Sequence, residues 1–157
     1  MTATETSACS IRELPARPAA ILREASAPER LGTSLGAALE EVAAALTRQG
    51  LAPAGPPFAR YLFHSPERVE FEAGFPVFGP FQDDARVHCV ELPAVTVAVG
   101  WHLGPYEGLG RTYGRMEAWI TAHGRHPGGP PIETYWSDPE REPDPATWRT
   151  EIDWPIG

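Results

Sequence analysis

The residues best suited to chemistry in this chain are a glutamate and a tyrosine two positions apart, Glu133 and Tyr135. Side chains two apart on a β-strand point to the same face, so an extended backbone here sets a carboxylate beside a phenol. Such a pair suits a cationic or hydrogen-bonding ligand in a largely apolar site. The alternative is that Glu133 is a solvated charge on an edge strand and that Tyr135 packs in the core.

Aromatic residues in the second half of the chain supply further candidates. The segment 101–106 (WHLGPY) runs from the end of a predicted strand into a predicted helix. From this position the side chains of Trp101 and Tyr106 can line a cleft, and Tyr113 lies on the predicted helix that follows. The predicted ligand-binding residues are therefore Glu133, Tyr135, Trp101, Tyr106 and Tyr113, and the alternative for the rings is that they fill core.

The composition excludes several classes of function. All 13 basic residues are Arg, so Schiff-base chemistry and a Walker-type phosphate loop, which need a Lys amine, are excluded. The formal net charge is −8 and basic residues do not cluster, which predicts no nucleic-acid partner and no anionic membrane partner. His and Cys lack a metal-ligand spacing, so no metal and no cofactor are predicted.

Compartment and targeting follow from the N-terminus and the cysteines. Residues 1–10 lack the basic and apolar regions of a secretory signal, and no apolar run approaches the roughly 20 residues that span a bilayer. Cys9 and Cys89 are predicted to be free thiols in a reducing cytosol. We therefore expect a cytoplasmic protein with a disordered tail over residues 1–10 and a single domain over 11–157.

That domain is an internal duplication, with two copies of one sequence unit. At an offset of 74, six of twelve consecutive positions are identical between residues 50–61 and 124–135. Upstream, both copies have apolar residues at helical spacing (Leu35, Leu39, Val42, Leu46 and Leu109, Tyr113, Met116, Ile120), followed four positions later by a glycine suited to a left-handed helix end. The offset drifts from 78 to 74 to 79 along the unit, and this drift predicts length changes in loops. The repeats cover about residues 11–77 and 89–156.

Each repeat is predicted to be a strand-helix-strand-strand module. The strands after the helix fall at 58–63 and 69–75 in the first copy and at 132–136 and 148–154 in the second, with a β-branched strand at 94–101. One such module covers its own apolar face poorly. The predicted fold is therefore α+β, a tandem duplication with antiparallel sheets, two helices and a central ligand cleft.

The duplication also supplies an internal comparison for the candidate site. At the 74-residue offset Glu133 corresponds to Ala59, while Tyr135 corresponds to Tyr61. The same strand position thus holds a methyl group in one copy and a carboxylate in the other. This difference favours a function for Glu133 and a shared packing role for the two tyrosines.

Several short motifs occur together in a recognisable order. They are Gly104-Pro105-Tyr106-Glu107, Glu133-x-Tyr135 followed by Asp138-Pro139, and Thr150-Glu151-Ile152 with Pro155. With the repeats, they make residues 11–157 resemble a GyrI-like small-molecule-binding domain, the effector-binding part of AraC-type and MerR-type multidrug regulators. The resemblance implies two modules with a ligand cleft between them and a glutamate, here Glu133, in an aromatic setting. With about 150 residues taken up by this domain, we expect no DNA-binding module of the kind that those regulators carry.

Three functions are compatible with this resemblance. The first is a stand-alone binding protein for lipophilic, aromatic or cationic small molecules, which sequesters or senses drugs. The second is a hydrolase of strained cyclopropanoid natural products, in which Glu133 acts with a tyrosine, Tyr135 first among Tyr135, Tyr113 and Tyr106. The third is a protein-binding modulator of gyrase type. Turnover separates the first two, and a pull-down separates the third.

Overall fold

Eight strands and two α-helices occur in residues 9–157, the part of the chain that a computed structural model describes. The strands are β1 (Ser10–Leu14), β2 (Arg17–Ser26), β3 (Phe58–His64), β4 (Val69–Pro76), β5 (His88–Leu92), β6 (Val95–Leu103), β7 (Ile132–Tyr135) and β8 (Arg149–Pro155); the helices are α1 (Leu31–Arg48) and α2 (Leu109–Ala122). The first eight residues of the expected tail lie outside the described residues, and Ser10 begins β1. Within the described residues no helix is long and apolar enough to cross a membrane.

The chain divides into two units with the same antiparallel strand order. The first unit comprises residues 15–94, in the order β3-β4-β2-β5. The second unit comprises residues 95–157 together with β1, in the order β7-β8-β6-β1. The α+β class and the duplicated module are therefore confirmed. The leading strands are exchanged, because β1 of the first repeat pairs with β6 and β5 of the second repeat pairs with β2.

Each unit packs one helix on one face of its sheet. In the first unit Val42 and Leu46 of α1 pack with Leu22 and Phe71 of the sheet. In the second unit Met116 and Ile120 of α2 pack with Ala98 and Ile152. Helical periodicity of 3.6 sets these contacts on one face of each helix.

The glycines predicted at the helix ends adopt the expected backbone conformation. Gly50 follows α1 with φ of 69°, and Gly124 follows α2 with φ of 73°. A left-handed residue at this position ends a helix, and glycine adopts it without a side-chain clash.

We expected the change of offset from 78 to 74 to reflect a difference in loop length between the repeats. This expectation is wrong. The helices begin 78 positions apart, at Leu31 and Leu109, and end 74 positions apart, at Arg48 and Ala122. The four extra residues therefore belong to α1, which has 18 residues where α2 has 14. Four residues are close to one helical turn, so the insertion leaves the buried face in phase.

Candidate ligand-binding site

Glu133 lies in β7 of the second unit, on the face of the sheet that α2 covers. Its register partner is Ile152 on β8, and Ile152 in turn faces Gly100 on β6. Residues directly opposite one another in antiparallel strands share a face, and Ile152 packs against α2. Glu133 is only 6% exposed. The carboxylate is thus held in a covered position and is not a solvated edge charge.

Two tyrosines donate hydrogen bonds to the two oxygens of this carboxylate. Tyr113 on α2 donates to Oε2 of Glu133 at 2.7 Å. Tyr135, two residues along β7, donates to Oε1 at 2.8 Å. A buried charge needs such donors because it has lost its hydration. Glu133, Tyr135 and Tyr113 therefore form one hydrogen-bonded cluster.

Tyr106 lies next to this cluster. Its ring centroid is 5.9 Å from that of Tyr135, with the rings edge to face, and 5.0 Å from that of Trp148. Burial, and to a lesser extent the charge of Glu133, raise the pKa of the Tyr106 phenol above its ordinary value. Tyr106 is 39% exposed, so its ring is the part of this aromatic group that solvent reaches.

Buried hydrogen bonds of His102 position the turn that carries Tyr106. Nε2 of His102 is 2.8 Å from the carbonyl oxygen of Pro105, which only accepts, so Nε2 carries the proton. Nδ1 is 2.7 Å from the hydroxyl of Thr112 on α2. Pro105 immediately precedes the 3-10 turn Tyr106–Gly108. His102 therefore joins the end of β6, this turn and α2.

Three site residues were missed by the sequence analysis, all on or beside β8. Trp148 packs on Tyr106, and Trp154 packs edge to face on Tyr113 with ring centroids 5.2 Å apart. Thr150, paired with Tyr135, is fully buried, and its hydroxyl oxygen has no hydrogen-bond partner within residues 9–157. Comparison of the two repeats could have identified Thr150, because at the 79-residue offset this threonine corresponds to Phe71.

Trp101 does not join this cluster. Its register partner on β8 is Glu151, the neighbour of Ile152, so Trp101 lies on the opposite face of the sheet from Glu133. There its ring contacts Trp136, with centroids 6.3 Å apart. The structure thus brings together four of the five predicted ligand-binding residues and separates Trp101 from them.

The family model of the GyrI-like small molecule binding domain matches residues 7–156. The chain belongs to this family. No curated protein sequence matches the chain significantly.

Solved structures show the same GyrI-like fold at low sequence identity. The EcmrR C-terminal domain is 20% identical, with a TM-score of 0.84 over 95% of this chain and 96% of that one. SAV2435 bound to tetraphenylphosphonium is 10% identical, with a TM-score of 0.67 over 95% and 93%. A hydrolase from Listeria innocua is 14% identical, with a TM-score of 0.70 over 95% and 91%. In an EcmrR–DNA complex, this GyrI-like chain covers 56% of the EcmrR chain.

Proposed function

We propose that this protein binds a lipophilic aromatic cation at Glu133. The observation that carries the proposal is the buried carboxylate of Glu133 with the phenols of Tyr113 and Tyr135 on its two oxygens. Phenol groups orient a carboxylate without neutralising it, so its negative charge remains for a ligand. The charge is absent from the first repeat, where Ala59 occupies the same position.

The rings around the carboxylate suit the apolar part of such a ligand. Tyr106, Tyr135 and Trp148 form a continuous series of ring contacts on one side of Glu133. Tyr113 and Trp154 form a perpendicular pair on the other side. Aromatic faces attract cations and bury large apolar areas. SAV2435, which has this fold, binds tetraphenylphosphonium, a lipophilic aromatic cation, and this supports the same ligand class here.

Glu133→Gln is the decisive variant, because it keeps the shape of the side chain and removes the charge. Losing a partly desolvated charge pair should weaken tetraphenylphosphonium binding by about 2–4 kcal/mol, roughly thirtyfold to several hundredfold. Calorimetric titration of both proteins measures this. Fold stability should change little, since the first repeat has Ala59 at this position. Glu117→Gln, on the exposed side of α2, is the matched control and should bind like wild type. An affinity for Glu133→Gln within about threefold of wild type contradicts the proposal.

A hydrolase of strained cyclopropanoid compounds is the second candidate. The specific observation is the 2.7 Å hydrogen bond between Tyr113 and Glu133, since a carboxylate can act as a general base for water while a phenol stabilises or protonates the leaving group. Tyr135 makes an equivalent contact, so Tyr113→Phe and Tyr135→Phe should be compared. Product formation from a cyclopropane-bearing alkylating agent, followed by mass spectrometry, tests turnover. Stoichiometric binding without product leaves the binding function alone.

A further inference from the structure

A second carboxylate with aromatic neighbours lies on the other face of the same sheet. Glu151 on β8 is 8% exposed. Its Oε1 accepts a hydrogen bond from Nε1 of Trp136 at 3.0 Å. Among residues 9–157 no ion pair accompanies this hydrogen bond. A carboxylate so far removed from water is stabilised by a paired positive charge, and no basic residue of the described chain lies within ion-pair distance of Glu151.

The first repeat has the same carboxylate and does supply cations. There Glu72 lies between Arg23 on β2 and Arg60 on β3 in a cross-strand row. Arg60 pairs with Glu72 at 3.1 Å between Nη1 and Oε1. The equivalent row in the second repeat is Trp101–Glu151–Thr134. The carboxylate is thus retained in both repeats, whereas tryptophan and threonine replace the two arginines.

The two tryptophan rings beside Glu151 suit a cation that comes from outside the chain. Trp101 and Trp136 flank Glu151 with ring centroids 6.3 Å apart, and Trp136 is 45% exposed. The guanidinium carbon of Arg149 lies 5.9 Å from the ring centroid of Trp101. This contact shows that the Trp101 face accepts a planar guanidinium, as indole faces do. Arg149 does not form an ion pair with Glu151 within the described residues.

We propose that Trp101, Trp136 and Glu151 form a second binding site, for a small ligand that carries a guanidinium group. The first repeat defines the geometry of recognition, because its own guanidinium from Arg60 sits on the equivalent carboxylate. The planar group donates to Glu151 and packs against the tryptophan rings. The site is independent of Glu133, which lies on the opposite face of the sheet.

The probe is n-butylguanidinium, and its neutral counterpart n-butylurea is the matched control ligand. Binding is followed by ¹H–¹⁵N spectra of the tryptophan indoles, because the Nε1–H of Trp136 donates to Glu151 and reports directly on that carboxylate. We expect a saturable shift of this resonance with n-butylguanidinium and none with n-butylurea. Glu151→Gln should weaken the binding at least about tenfold. Glu133→Gln should leave it unchanged while it impairs tetraphenylphosphonium binding.

Thr134→Arg tests the same idea without altering the carboxylate. It restores the pairing that Arg60 and Glu72 make in the first repeat, so it should fill the site and abolish n-butylguanidinium binding. Tetraphenylphosphonium binding should stay within about threefold of wild type in this variant. The proposal is overturned by the lack of a saturable shift in wild type, by an equal shift with n-butylurea, or by undiminished binding in either Glu151→Gln or Thr134→Arg.

Discussion

At the scale of single residues, the two repeats differ where a polar group enters a covered position. Ala59 becomes Glu133, Leu39 becomes Tyr113 and Phe71 becomes Thr150. The three replacements lie on one face of the second unit, and two of them are joined by a hydrogen bond. An isolated buried charge is costly, so a glutamate and its donor are expected to appear together. The first unit has none of the three, and its equivalent surface is apolar.

Titration of Tyr106 reports on the charge of Glu133. Burial and the Glu133 charge both raise the pKa of Tyr106. In the folded protein the phenol therefore stays protonated at pH values above the ordinary tyrosine pKa of about 10. The stability that this contributes is present below the unfolded-state pKa and is lost as the pH rises through the folded-state pKa. In Glu133→Gln the pKa of Tyr106 should fall but stay above the ordinary value, because burial remains. NMR of ¹³C-labelled tyrosine measures it, and Tyr106→Phe assigns the signal. An unchanged pKa would mean that Glu133 carries no charge near Tyr106.

At the scale of elements, the approach of α2 to β6 positions Tyr113 over Glu133. Gly100 permits this approach, because a Cβ at Gly100 would lie 2.6 Å from Sδ of Met116. Met116 is fully buried, and Tyr113 lies three residues before it on the same helix face. The distance between helix and sheet is therefore coupled to the hydrogen bond on which the proposed site depends.

Replacing Gly100 with alanine should push α2 away from the sheet. Overpacking of this kind costs about 1–3 kcal/mol in unfolding free energy, and binding of tetraphenylphosphonium should weaken because Tyr113 moves with the helix. Gly114→Ala is the control on α2, since a Cβ there meets nothing within 4 Å. It should stabilise the protein by about 0.5–1 kcal/mol through helix propensity. Urea denaturation and calorimetry measure both effects. A Gly100→Ala variant as stable as wild type would show that Met116 yields without strain.

At the scale of the whole molecule, the structural units and the sequence repeats have different boundaries. The repeats run over about 11–77 and 89–156, whereas the first unit runs over residues 15–94. The difference is the exchange of β1 and β5, each of which pairs five residues with a strand of the other repeat. Each exchanged strand covers an edge of a sheet that would otherwise expose unpaired backbone groups.

Fragments cut at the two kinds of boundary should therefore behave differently. Fragment 15–94 retains β5 on β2 and should unfold cooperatively in urea. Fragment 11–77 lacks β5 and carries β1 without its partner, so it should be less stable and more prone to aggregate. Circular dichroism in urea and light scattering compare them. A fragment 11–77 as stable as 15–94 would mean that the exchanged pairing contributes little.

Much of the secondary structure could be predicted from local pattern. The predicted strand at 58–63 is observed as Phe58–His64, and that at 69–75 as Val69–Pro76. Alternation with period 2 and helical spacing are properties of a few neighbouring residues, so the sequence alone reveals them. Four of the five predicted site residues also fall together, because two share a strand face and two lie on or beside the helix that covers it.

The sequence by itself determined the duplication, the module, the helix ends and the polar difference at Glu133, since each depends on residues close together or on comparison of the two copies. Only the tertiary structure decided that Trp101 lies on the opposite face of the sheet and that β1 and β5 are exchanged. It also decided that Trp148 and Trp154 pack against Tyr106 and Tyr113. The reason is physical. Strand partners and register are set by the sum of contacts between residues distant in sequence, and a change of register by one residue moves a side chain to the other face.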